Sequence, residues 1–167
     1  MYDDFGPDPE VARVISINEI MTTELHTLSQ TDSLQTAIKL MAKKHIRHIP
    51  IVTGKGELVG LVTHRDVLAA TDSTLRAKSE HQNPASVPLS TVMTRDVVTV
   101  DEHVSLRSAA LYLEQHKYGC LPVVTDGKLR GIITDSDFVA VVINLLEQLE
   151  AIEPPSDYEE GEPSEEY

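Results

Sequence analysis

With 167 residues, 41% of them apolar, the chain can fill one ordinary domain or two small ones sharing a core, which excludes disorder throughout. The formal charge of −13 gathers at one end: residues 147–167 hold nine acidic side chains and no basic one, leaving 18 acidic against 14 basic residues elsewhere. A body so near neutrality has no basic stripe to displace counterions from duplex nucleic acid, and no run approaches the roughly 18 apolar residues of a membrane span.

Residues 1–14 read as an N-terminal leader, with acidic side chains where a secretory signal would be basic. Two copies of one pattern follow. Met21-Thr22, Thr27, Leu34, Ala37 and Pro50 reappear 72 residues on as Met93-Thr94, Thr99, Leu106, Ala109 and Pro122. Gly54-Lys55-Gly56-Glu57 then shortens to Asp126-Gly127-Lys128, so Gly60, Thr63 and Asp66 meet Gly131, Thr134 and Asp137 at an offset of 71. A turn absorbs one residue where a helix or strand cannot. The organisation expected is a leader (1–14), repeat 1 (15–75), a connector (76–86), repeat 2 (87–149) and an acidic disordered tail (150–167).

Within each copy, Asn18 and Ser90 are good N-caps for a short helical turn. Residues 25–28 and 97–100 are strand candidates. Thr31 or Asp32 can cap a helix carrying Leu34, Ala37, Ile38, Met41 and Ala42, repeated by Leu106, Ala109, Ala110 and Leu113. Residues 49–52 and 121–124 are apolar strands containing proline; turns lead from them into strands 58–62 and 129–133, and helices open at Thr63 and Thr134. The fold class is α+β, two βαββα units, each too small to be very stable alone. The last helix, from Phe138 to Leu146, is apolar almost all round, so either its own core or a partner subunit must cover it.

The most chemically suggestive pattern is Gly-apolar-apolar-Thr-x-x-Asp at each strand-to-helix junction. A helix start attracts phosphate through unpaired N–H groups, a threonine adds a hydroxyl, and an acid one turn in can accept from ribose hydroxyls. Thr-x-x-Asp is equally a capping box, and that reading stays open. The single cysteine, Cys120, excludes an internal disulfide and a Cys-rich zinc site and fits a cytoplasmic setting. His26, His45, His48, His64, His103 and His116 lack ligand spacing, so no metal is expected. No Ser lies in a nucleophile elbow and Cys120 has no neighbouring His-Asp arrangement, so no enzyme is expected.

The doubled Met-Thr, the Pro-containing strands 49–52 and 121–124, and the two Gly-apolar-apolar-Thr-x-x-Asp signatures together resemble a tandem pair of CBS (cystathionine β-synthase) domains over residues 15–145. The resemblance implies a pseudo-twofold pair with two clefts for adenosine-containing ligands (AMP, ADP, ATP or S-adenosylmethionine), with no required cofactor. By the same resemblance Asp66 and Asp137 hold ribose, and Thr63 and Thr134 contact ribose or phosphate. Adenine is lined by His48, Ile49, Cys120 and Leu121 beside Pro50 and Pro122, with Leu25, His26, Val97 and Val98 following Thr22 and Thr94. Arg47 and His64, with Arg65, favour phosphate near the first signature, whereas Asp135 repels polyphosphate near the second, so unequal occupancy is expected. The chain then reads as a regulatory sensor that binding reshapes, a homodimer, acting on a separate effector protein; the competing reading is a ligand-free docking scaffold.

Overall fold

A computed structural model describes residues 14–76 and 83–152. The chain divides into two units, Met1–Asp135 and Ser136–Tyr167. In the first, α1 (Leu34–Lys44), β1 (His48–Val52), β2 (Leu58–Thr63) and α2 (His64–Arg76) form one copy; α3 (Leu106–His116), β3 (Cys120–Thr125) and β4 (Lys128–Thr134) repeat it and lead into α4 (Asp135–Ile152), which makes up the described part of the second unit.

Each copy contains one antiparallel pair, β1 with β2 and β3 with β4, in matching register: Pro50 opposes Leu61 and Pro122 opposes Ile132. The tight turn between β3 and β4 is Asp126-Gly127, both at positive φ, the backbone a two-residue hairpin requires. α1 and α3 start on Ser33 and Ser105, whose hydroxyls accept from the N–H groups of Thr36 and Ser108, and end on left-handed His45 and Lys117. The caps are therefore one or two residues later than Thr31 or Asp32, because Asp32 instead accepts from the Ser29 N–H at 2.6 Å.

Residues 25–28 and 97–100 do not form full strands. Only Leu28 and Val100 pair, in parallel, with Ile51 and Val123. The reason lies just upstream, where Thr22 and Thr94 pair in the opposite direction, each with the other copy. Thr94 exchanges both backbone bonds with Leu61 at 2.9 Å, and Thr22 does the same with Ile132 at 2.9 and 3.0 Å. The short turns before them are 3-10, Ile17–Glu19 after Ser16 and Leu89–Thr91 after Pro88, so Asn18 and Ser90 lie inside rather than at their caps. These segments cross over as well. Leu106 N–H donates to Ile15 and Ile17 N–H to Val104, while Leu34 N–H donates to Val87 and Leu89 N–H to Asp32.

The core follows the crossing. Leu89 and Met93, from the second copy of the sequence pattern, are buried with Leu34, Ala37, Met41, Ile49, Ile51, Val62 and Val67 of the first. Between the copies Leu61, Cys120 and Ile132 form a central cluster with Leu25 and Val97. Each copy's sequence is thus completed by the other's leading turn, which is why neither half has an independent core.

The signature glycines serve this crossing. A Cβ at Gly60 would stand 2.6 Å from Met93 Sδ and 3.0 Å from the Thr94 carbonyl oxygen; one at Gly131 would stand 2.5 Å from Met21 Sδ and 3.1 Å from that of Thr22. The close backbone approach that these glycines permit is therefore made by the other repeat.

α4, taken by itself, exposes Val139, Val142, Ile143, Leu145, Leu146 and Leu149, each between 46 and 61% accessible. Among the described residues no helix is long and apolar enough to cross a membrane. The described part of α2 reaches Arg76, and Asn83 caps Pro84–Ser86; residues 77–82, within the expected connector, lie outside the described residues, as do the leader up to residue 13 and the tail from 153.

Gly60→Ala and Gly131→Ala should each lose about 1–3 kcal/mol in urea unfolding, because the added methyl meets a backbone carbonyl as well as a movable sulfur. Gly54→Ala, with nothing within 4 Å of its Cβ position, is the control and should change little.

Candidate functional site

The crossing of Thr94 onto Leu61 brings residues of both copies round one open cavity of about 370 Å³. Leu61, Thr63, Arg65 and Asp66 come from β2 and the start of α2, and His48 from the adjacent end of β1. Thr94, Asp96, Val97 and Val98 come from the crossing segment, and Lys117, Tyr118, Gly119 and Cys120 from the end of α3 and the start of β3. A 370 Å³ cleft lies within the range of small-molecule sites.

The walls divide by chemistry. Leu61, Val97, Val98 and Cys120 give an apolar side, and burial, with Asp135 nearby, pushes the Cys120 thiol up to about 12, so it stays a neutral part of that wall. Thr63 and Asp66 give a polar side at the start of α2, where the positive end of the helix lies. His48 sits beside them because its Cα partner in the sheet is Thr63. Burial holds the His48 imidazole below its ordinary value; Asp135 pulls it up, Arg47 pushes it down and Asp66 pulls it up less.

The capping reading of Thr-x-x-Asp is realised at the first signature. Asp66 Oδ2 accepts from the Thr63 N–H and from the Thr63 hydroxyl, both at 2.8 Å, and the Asp66 N–H donates to Thr63 Oγ1 at 3.2 Å. Both carboxylate bonds fall on Oδ2, so Oδ1 keeps its lone pairs for another donor. Capping and ligand binding do not compete for the same oxygen, and no side chain fills the cavity in front of them.

Eight sequence-predicted residues meet in this cleft: His48, Thr63, Arg65, Asp66, Thr94, Val97, Val98 and Cys120. Ile49, Pro50, Leu121 and Pro122 do not, since all four are fully buried in strands covered on both faces. Leu25 packs into the central cluster, Thr22 pairs with Ile132, and His26 is half-buried outside the lining. Thr134 opposes Cys120 in the sheet, the Asp135 N–H donates to the Gly119 carbonyl at 3.2 Å, and Asp137 belongs to the second unit.

Arg47 and His64, expected beside a phosphate, instead line a separate groove of about 620 Å³ between α1 and α2, with His45, Met41, Val67 and Leu68. The cations of the cleft are Arg65 and Lys117. Lys117 and Tyr118 escaped the sequence reading, although Cys120 of the same copy did not. The available signal was their position two and three residues before Cys120, in the left-handed cap that turns α3 toward β3. Tyr118 is further steadied by stacking on His116 at 5.6 Å.

The CBS domain family model matches residues 17–73 and 89–144, and the chain belongs to this family. Its fold matches a Vibrio cholerae protein named for acetoin utilization, AcuB, at 44% identity and a TM-score of 0.76, over 83% of this chain and 99% of that one. A CBS domain pair solved with 5′-methylthioadenosine and S-adenosyl-L-methionine matches at 26% identity and 0.69, over 80% and 99%. CBSX2 in complex with AMP matches at 28% and 0.67, over 79% and 98%. The chain spans 42% of a Thermofilum pendens relative, at 35% identity, and 23% of a homoserine O-acetyltransferase of Methanocorpusculum labreanum, so it matches only part of each.

Asp66→Ala should cost the ligand-free protein about 1 kcal/mol through loss of the reciprocal cap, read as a lower urea midpoint at unchanged slope.

Proposed function

We propose that this CBS pair is a regulatory module that binds an adenosine-containing ligand in the cleft between Thr63-Asp66 and Tyr118-Cys120. The observation that carries the reading is the junction itself: a capped helix start with a carboxylate oxygen to spare faces an apolar wall from the other repeat. Asp66 Oδ1 suits ribose hydroxyls, and Leu61, Val97, Val98 and Cys120 suit a purine. Arg65 and Lys117 suit a phosphate. Neighbours of the same fold solved with AMP, 5′-methylthioadenosine and S-adenosylmethionine support the ligand class.

Binding here bridges the two repeats, so a ligand that prefers one repeat angle shifts that angle. We read the output as passing to a separate effector protein, and the module as non-catalytic and cytoplasmic, the last supported by its free buried thiol. The apolar stripe of α4 supports self-association as a homodimer.

Thermal unfolding against AMP, ADP, ATP, S-adenosylmethionine and 5′-methylthioadenosine tests the ligand reading. A compound at one hundred times its Kd should stabilise by about 2.7 kcal/mol, a rise of roughly 5–10 °C, and Asp66→Ala should remove that rise beyond its own loss of stability. No shift with any of them would leave the docking scaffold as the better account. Light scattering should give a dimer mass, and Val142→Glu with Leu146→Glu a monomer that keeps its secondary structure by circular dichroism.

A further inference from the structure

We infer that His48 makes this cleft selective for phosphate-bearing ligands by taking up a proton as the phosphate enters. The inference rests on the adenosine reading above and deepens it, since it chooses among the ligand chemistries that reading allows.

Position is the first argument. His48 opens β1 opposite Thr63, so the sheet register places this residue beside the start of α2, at the polar side of the cleft. The ring then leans on Gly119, where an added Cβ would stand 3.2 Å from Nε2. Gly119 occupies the place that Arg47 holds in the first copy. A side chain there would displace the ring, so the seat exists because the second copy has none.

The second argument is that neither ring nitrogen has a hydrogen-bond partner among the described residues. Among the described residues no buried polar side-chain atom lacks a partner, so these nitrogens are not sealed in the core, and the residue that carries them lines the cleft. A half-buried imidazole with both nitrogens unclaimed stands ready to donate to an anion.

Charge is the third. The lining carries Arg65 and Lys117 against Asp66 and Asp96, so with His48 neutral its formal charges cancel. The groups that act on the ring are Asp135 beyond β4, Arg47 before β1 and Asp66 on α2, with burial outweighing them and favouring the neutral form. A phosphate dianion at this end reverses the balance, because opposite charge within a few ångströms favours the imidazolium. Protonated His48 gives the lining its only net positive charge. A neutral adenosine brings no such incentive, and a cationic sulfonium opposes it.

Proton NMR of the His48 ring, assigned by the signal lost in His48→Gln, tests this on the wild-type protein with no ligand, with adenosine and with AMP. The titration midpoint should rise by about one pH unit with AMP relative to adenosine. By linkage, calorimetric AMP affinity should gain up to about tenfold more between pH 8 and pH 6 in the wild type than in His48→Gln. Taking the difference between the two proteins removes the ligand's own phosphate titration. A midpoint equal with AMP and adenosine, or a pH dependence undiminished in His48→Gln, overturns the inference and leaves the adenosine reading standing. Binding of neither compound overturns both.

Discussion

Two pairs of backbone hydrogen bonds hold the molecule's plan together: Thr94 with Leu61, and Thr22 with Ile132. Each carries the leading segment of one copy onto the second hairpin strand of the other. Everything near the cleft depends on it. The crossing delivers Thr94, Asp96, Val97 and Val98 to the start of α2 and places Met93 and Leu89 in the first core. Gly60 and Gly131 are the steric condition for it, since any side chain there would meet a methionine sulfur and a carbonyl oxygen together. In effect the glycine of the signature keeps the repeats together while the threonine and aspartate three and six residues on face the cavity.

The polar end of the cleft shows how one pair of residues can serve stability and recognition together. Thr63 and Asp66 close the first turn of α2 through Oδ2, and a carboxylate has a second oxygen. The cap fixes the rotamer of Asp66 before any ligand arrives, which lowers the entropy lost on binding. The same pre-organisation applies to His48, pinned against Gly119, and to Tyr118, stacked on His116. Arg65 and Lys117, exposed at the rim, are the adaptable members.

Much of this was legible in the linear pattern. Helical spacing at Leu34, Ala37 and Met41, repeated at Leu106, Ala109 and Leu113, announced α1 and α3, and each of these six residues is buried. The doubled strand, turn and strand order was legible too. The caps were misplaced by one or two residues because four neighbouring hydroxyl and carboxyl groups, from Ser29 to Ser33, compete for the same N–H groups, and only the backbone path chooses among them. Residues 25–28 read as a strand from composition, but a strand needs a partner along its length, and only Leu28 has one.

Of the cleft, the sequence by itself determined the parts that repeat: the glycine, the threonine, the aspartate and the Pro-containing strand, because each answers to a local geometric need that recurs at a constant offset. What only the tertiary structure decided was which parts meet. Arg47 and His64 are near the signature along the chain yet turn into the groove between α1 and α2, whereas Lys117 and Tyr118, some fifty residues from Asp66, line the cleft with it. Neighbourhood along a chain extends only a few residues in any direction a helix or strand allows. The choice of distant partners was made by the exchange of leading segments, and that exchange is a property of two cores each incomplete without the other.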